Sequence, residues 1–123
     1  METLKIIMYV ARQLVIPFLL AAFFIAAGYV KLDGDPGMVA NFERWGYPAW
    51  SMYLVGLIEI LGAALLVFAR ARFYGALVIV VTMTGALLTH WQAGEMETAS
   101  PAMILWGLAA IELWRNQKKR LKR

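Results

Sequence analysis

Four apolar segments of bilayer-crossing length divide this chain, and they restrict its fold more than any other feature. A spanning helix needs about 20 mostly apolar residues. The first segment runs from about Gln13 to Val30 and contains no charge. The second runs from about Pro48 to Ala69 and is interrupted by Glu59. The third runs from about Phe73 to Trp91 and the fourth from about Ala99 to Trp114, with Glu112 near its end. Over the whole 123 residues, 62% are hydrophobic and 16% charged. An average soluble domain is about 45–50% apolar and ~25% charged. A soluble domain this small has too much surface to hide so many apolar side chains. The expected class is therefore all-α: a membrane-spanning four-helix bundle over residues 1–115, followed by a basic tail at 116–123.

Charge placement orients that bundle. With the N-terminus in the cytoplasm, the inside holds Lys5, Arg12, Arg70, Arg72 and six basic residues of "RNQKKRLKR", ten in all. The outside holds two, Lys31 and Arg44. The positive-inside rule is then met at every cytoplasmic segment. Three spans would place the "RAR" turn and the tail on opposite sides. The expectation is a multi-pass protein of the cell membrane with both termini cytoplasmic. The first segment reads as a retained span and not as a cleaved leader. Tyr29, Trp45, Tyr47, Trp50 and Trp91 collect at the outer interface, and Phe73, Tyr74 and Trp114 at the inner one, where amphipathic rings prefer to sit. The basic tail suits anionic lipid head groups, and no nucleic-acid partner is expected.

The first outer connection, "DPGMVANFERWGYP", carries its own helix signals. Asp35 is placed to cap and Pro36 to begin a helix. Met38, Phe42 and Trp45 recur at helical spacing, and Gly46 and Pro48 stop the run. A short amphipathic helix on the outer face follows from this pattern. The second outer connection, "QAGEMET", is short and acidic.

Glu59 is the sharpest chemical feature. Ionisable groups inside a membrane are costly and usually face a cavity or a partner. Gly56, Gly62 and Ala63 share its face, so the carboxyl is expected to point at other helices, which small residues let approach. At 1.5 Å per residue it lies about 14 Å below Trp50, level with Thr82. A hydrogen bond to Thr82 or Thr84 is the structural expectation. A contact with Lys31 or His90 needs a long side chain reaching down, or a watery vestibule. Unless a cation is near, the carboxyl is neutral and can donate to a carbonyl oxygen or carry a proton. Lys31 reads as a snorkelling anchor or as an attractor of an anionic group. His90 reads as structural or titrating. Pro17 is a candidate kink. Arg12 and Glu112 fall at the same depth near the inner surface and are expected to pair, with Arg115 and Asn116 as local alternatives for Glu112.

Several chemistries are not expected. There is no cysteine and a single histidine, so neither a thiolate nor a His-based metal site is expected, and no intrinsic cofactor. No nucleophile–base arrangement or phosphate loop is visible, so autonomous catalysis is not expected.

The order and spacing of "AGYVKL", "MVANFERWGYP", "EILGA" and the histidine closing the third span resemble the DoxX-like family of small four-helix membrane proteins. The likeness covers roughly the first ninety residues. It departs at "IELWRNQKKRLKR", where some members carry a glycine- and proline-containing ending. The resemblance implies an integral membrane protein, tied in several members to respiratory or sulfur-oxidising assemblies such as thiosulfate:quinone oxidoreductase. By position it implies Lys31, Glu59 and His90 as the polar set and quinone as a candidate ligand. The resulting expectation is a quinone- or lipid-binding subunit or accessory factor that works with a redox complex or as a homo-oligomer. A proton-coupled exporter using Glu59 and a purely structural assembly factor are the alternatives.

Overall fold

A computed structural model describes the backbone of residues 1–121 and the side chains of residues 1–119. The described residues are helical almost throughout, with no strand. The chain opens with α1 (Glu2–Val10), passes through a π-helical turn (Ala11–Val15) and continues as α2 (Ile16–Leu32). Together these form one rod over Glu2–Leu32, about 46 Å long at 1.5 Å per residue. It begins well before Gln13, the expected start of the first span. A short α3 (Pro36–Arg44) follows, then α4 (Ala49–Val67), α5 (Arg72–Gln92), a 3-10 turn (Met96–Thr98) and α6 (Ser100–Leu121).

The four long helices pack in the order α2, α4, α5, α6, and α6 meets α2 less extensively. Phe24, Leu20, Leu66 and Ile79 fill the core, with Ala63 and Ala76 between them. Two glycine contacts set the helix spacing. A Cβ on Gly28 would lie 2.6 Å from the Gly56 carbonyl oxygen, so α2 and α4 touch backbone to backbone. A Cβ on Gly75 would lie 2.7 Å from the Leu66 nitrogen, which brings α5 equally close to α4. Dispersion across such contacts holds helices together where lipid removes the hydrophobic drive.

Ahead of Pro17 the first rod passes through a π-helical turn. The Ile16 N–H bonds back five residues to the Ala11 carbonyl, which makes the π-helical turn. Pro17 then has no N–H to offer, in either the π or the α register. The carbonyls that would have received it belong to Arg12 and Gln13. Arg115 Nη1 donates to the Arg12 oxygen at 2.9 Å, and Arg72 Nη1 to the Gln13 oxygen at 3.2 Å. Arg72 also donates through Nε to the Leu66 carbonyl (2.7 Å) and through Nη2 to that of Val67 (3.4 Å). One buried guanidinium thus caps the last turn of α4 and satisfies a carbonyl that Pro17 leaves free in the first rod.

Two expectations at this end need correction. Glu112, 1% exposed, does not pair with the Arg12 side chain. It bonds Arg115 at 2.8 Å and Asn116 Nδ2 at 3.1 Å, its neighbours on the same helix face. Arg12 contributes its backbone carbonyl. Nor is 116–123 a separate tail: α6 continues through Leu121, while residues 122 and 123 lie outside the described ones. Lys119 Nζ donates to Gln13 Oε1 at 2.6 Å, and Lys118 sits 4.0 Å above the Trp114 ring, so this stretch is tied to the bundle.

Among the described residues, three helices are long and apolar enough to cross a membrane: Glu2–Leu32, Ala49–Val67 and Arg72–Gln92. Their mean hydropathies are 2.1, 1.9 and 1.6, and only about a third of each apolar window is buried within the chain. Leu54, Leu57, Leu61 and Val81 face outward. α6 is not among the three, because its second half is charged. The short helix is where the sequence predicts it. Asp35 Oδ2 accepts the Met38 N–H at 3.1 Å, Pro36 is the first helical residue, and Gly46 leaves the turn with φ 82°.

Candidate functional site

Helix α3 and the turn after it lie across one end of the bundle, the end opposite Arg72 and Arg115. Beneath them is a cavity of about 510 Å³, within the range of about 300–1,000 Å³ typical of small-molecule sites. Its roof is Met38, Phe42 and Trp45; its walls are residues of α4 and α5; Glu59 and Thr82 are its deepest polar residues. The lining is predominantly apolar.

Lys31 and Glu59 meet at the edge of this cavity. Lys31 Nζ lies 2.9 Å from Glu59 Oε1, with side chains 12% and 3% exposed. The helix contact explains how a residue at the end of α2 reaches a carboxylate in the middle of α4. A Cβ on Gly56 would fall 2.9 Å from Lys31 Cβ, so the lysine stem runs through the space that a side chain at 56 would fill. Glu59 is one turn further along the same face. Lys31 therefore reaches inward instead of snorkelling out. The ammonium is the ionic partner of the buried Oε1, and among the described residues no other donor reaches that oxygen.

The expected hydrogen bond from Thr82 or Thr84 to Glu59 is not made. Thr82 Oγ1 donates to the Val78 carbonyl and Thr84 Oγ1 to that of Val80, both at 2.8 Å. Hydroxyls on helices readily satisfy themselves four residues back. Thr84 instead receives Trp106 Nε1 at 3.0 Å, which ties α6 to α5. Thr82 still lines the cavity, as does His90 at its rim. His90 Nδ1 is 3.3 Å from Thr98 Oγ1, and its ring stands edge-on to Trp45 at 5.7 Å. Lys31, Glu59, Thr82 and His90 thus share one cavity, but of these only Lys31 and Glu59 are paired.

Sequence reasoning missed the contacts that hold the lid. Glu95, in the second connection, accepts Arg44 Nε at 3.0 Å, Arg44 Nη2 at 3.1 Å and Trp45 Nε1 at 3.0 Å. Hydrogen bonds from Arg44, then from Trp45, hold the Glu95 carboxyl below its ordinary value. Tyr47 completes the latch: its hydroxyl lies 2.6 Å from Thr89 Oγ1, which itself donates to the Gly85 carbonyl at 2.8 Å. The signal was an acidic "QAGEMET" facing a lone arginine in "NFERWGYP". Among the described residues, no group of three His, Cys, Asp or Glu side chains is placed to hold a metal.

Comparison with known proteins identifies the family. The model of the DoxX-like family matches residues 15–111. An uncharacterized protein of Bacillus subtilis strain 168, YdgD, is 32% identical over 75 residues, covering 58% of this chain and 66% of that protein. A second protein of the same strain, named "Putative oxidoreductase CatD", is 29% identical over 66 residues, covering 54% of this chain and 49% of that protein. The matches thus span about half to two thirds of these relatives. No solved structure matches significantly.

Proposed function

The chain belongs to the DoxX-like family, and from that premise we propose that it is a membrane-embedded binding module for a quinone-like or lipid-like molecule. In this reading it serves as a subunit or accessory factor of a redox assembly. The observation that carries the reading is the lidded apolar cavity with the Lys31–Glu59 pair at its edge. Apolar walls suit a ring or an acyl chain, and a few convergent polar groups orient its head. A relative named as an oxidoreductase supports the redox setting.

In the same proposal α6 is the fourth span and both termini are cytoplasmic. Lys5, Arg12, Arg70, Arg72, Arg115, Lys118 and Lys119 then share the inner face with its anionic lipids. The lid faces outward. A proton-coupled exporter using Glu59 fits less well. The lining residues stop at the depth of Glu59 and Thr82, and Lys31 already neutralises the carboxylate. The assembly-factor alternative leaves the cavity without a role.

The test is mass spectrometry of molecules co-purified in native nanodiscs. A quinone or a specific lipid retained by the wild type and lost from Glu59→Gln supports the proposal. Identical lipid profiles from both proteins and from empty membranes would remove it.

A further inference from the structure

The polar groups around the cavity are unequally satisfied. Tyr47 and Thr89 are bonded to each other, Ser51 Oγ donates to the Pro48 carbonyl at 2.6 Å, and Thr82 Oγ1 is spent on Val78. Their hydroxyl hydrogens are committed within the protein. The carboxylate of Glu59 is different. Oε1 is enclosed 2.9 Å from the Lys31 ammonium, and among the described residues no hydrogen-bond donor reaches Oε2. A buried carboxylate held on one oxygen by an ammonium keeps an unfilled demand on the other, since both oxygens can accept.

We infer that the cavity selects an occupant bearing a neutral hydroxyl donor on a flat ring, a phenol or hydroquinone, which donates its O–H to Glu59. This rests on the reading of the cavity as a ligand site and specifies which chemical form it prefers. The ligand is neutral because the Lys31–Glu59 pair already balances its own charge, and the apolar walls disfavour an unpaired ion. It is flat because Phe42, Trp45 and Tyr47 form a ring cluster over the opening, with centroids 5.4 to 6.4 Å apart. It is a donor because Lys31 leaves the second carboxylate oxygen without one. A quinone carbonyl could accept from Lys31 or from the His90 ring at the rim, and neither contact would bring Glu59 a new donor. The site therefore favours the reduced, hydroxyl-bearing member of a quinone–hydroquinone couple.

The test is isothermal calorimetry of the full chain in lipid nanodiscs under anaerobic conditions, with empty nanodiscs as blank. Three probes share one ring: tetramethylhydroquinone, tetramethylbenzoquinone and the hydroquinone dimethyl ether. The hydroquinone is expected to bind at least about tenfold more tightly than the other two, the scale of one hydrogen bond to a charged acceptor. Glu59→Gln is expected to narrow that gap. Should that variant not fold, the three-probe comparison on the wild type decides alone. Equal binding of the probes, or tighter binding of the quinone, overturns the donor inference and leaves the ligand-site reading standing. No binding by any probe overturns both for this ligand class.

Discussion

Lys31 crosses Gly56 to place its ammonium 2.9 Å from the Glu59 carboxylate, joining α2 to α4 inside the bundle. Each member of such a pair is tolerable because of the other. Losing either leaves a buried charge without compensation, costing about 3–5 kcal/mol, whereas losing both is much cheaper. Lys31→Met and Glu59→Leu are each expected to destabilise the protein strongly. The Lys31→Met/Glu59→Leu double variant should recover most of that loss. SDS unfolding titrations of the four proteins in detergent measure the coupling. A double variant as unstable as the sum of the singles would show that the two side chains do not act as a pair.

Gly56 makes this geometry possible, so Gly56→Ala tests it separately from the charges. The added methyl would meet the Gly28 carbonyl and Lys31 Cβ, both at 2.9 Å. Neither is the loose end of a side chain, so the helices must part. Overpacking of this kind costs about 1–3 kcal/mol, and the displaced lysine should also weaken any cavity ligand. Gly107→Ala is the control, because nothing lies within 4 Å of its would-be Cβ. Unchanged thermal unfolding of Gly56→Ala would refute the close approach.

The lid has a pH dependence of defined sign. Arg44 and Trp45 hold the Glu95 carboxyl below its ordinary value of 4.5. A depressed carboxylate contributes stability that is fully present above the unfolded value and is lost as pH falls through the folded one. The lid should therefore stay closed from neutral pH down to the ordinary glutamate range and loosen only below it. Fluorine NMR of fluorotryptophan at Trp45 would follow this opening. In Glu95→Gln the low-pH transition should disappear, with the lid already looser at neutral pH. A transition centred near neutral pH would show that Glu95 is not the group that holds the lid.

How much of this the sequence discloses depends on the range of the interaction. Helices and lid are local. Asp35, Pro36 and Gly46 write the boundaries of α3 in neighbouring residues, and apolar length writes the long helices. The small residues around Glu59 likewise announce that its face is packed. Side-chain pairing is not local in the same way. Thr82 has the right depth for Glu59 but finds its own helix carbonyl first. Arg12 and Glu112 share a level, yet Arg115 lies only three residues from Glu112 and reaches it first. The Glu95 latch joins residues 51 and 50 positions apart and depends on how the two connections converge. Charge pattern hints at that convergence without determining it.

Arg72 looked, in the sequence, like a marker of topology, and its structural role yields the sharpest test of the fold. It is 5% exposed and donates to three carbonyls, on residues 13, 66 and 67. Arg72→Gln removes most of these donors from buried acceptors, at about 1–3 kcal/mol for each group left unsatisfied. Arg72→Lys keeps the charge but not the planar fork, and should be only slightly better. The bond to Gln13 is needed because Pro17 cannot supply an N–H. Pro17→Ala restores one to the first rod, and the π-helical turn can then relax towards a regular α-helix. The penalty of Arg72→Gln should consequently be smaller in the Pro17→Ala background than in the wild type. The remaining penalty reports the cap on Leu66 and Val67. Equal penalties in the two backgrounds, measured by SDS unfolding, would mean that Arg72 serves α4 alone and that the first rod satisfies its carbonyls by another route.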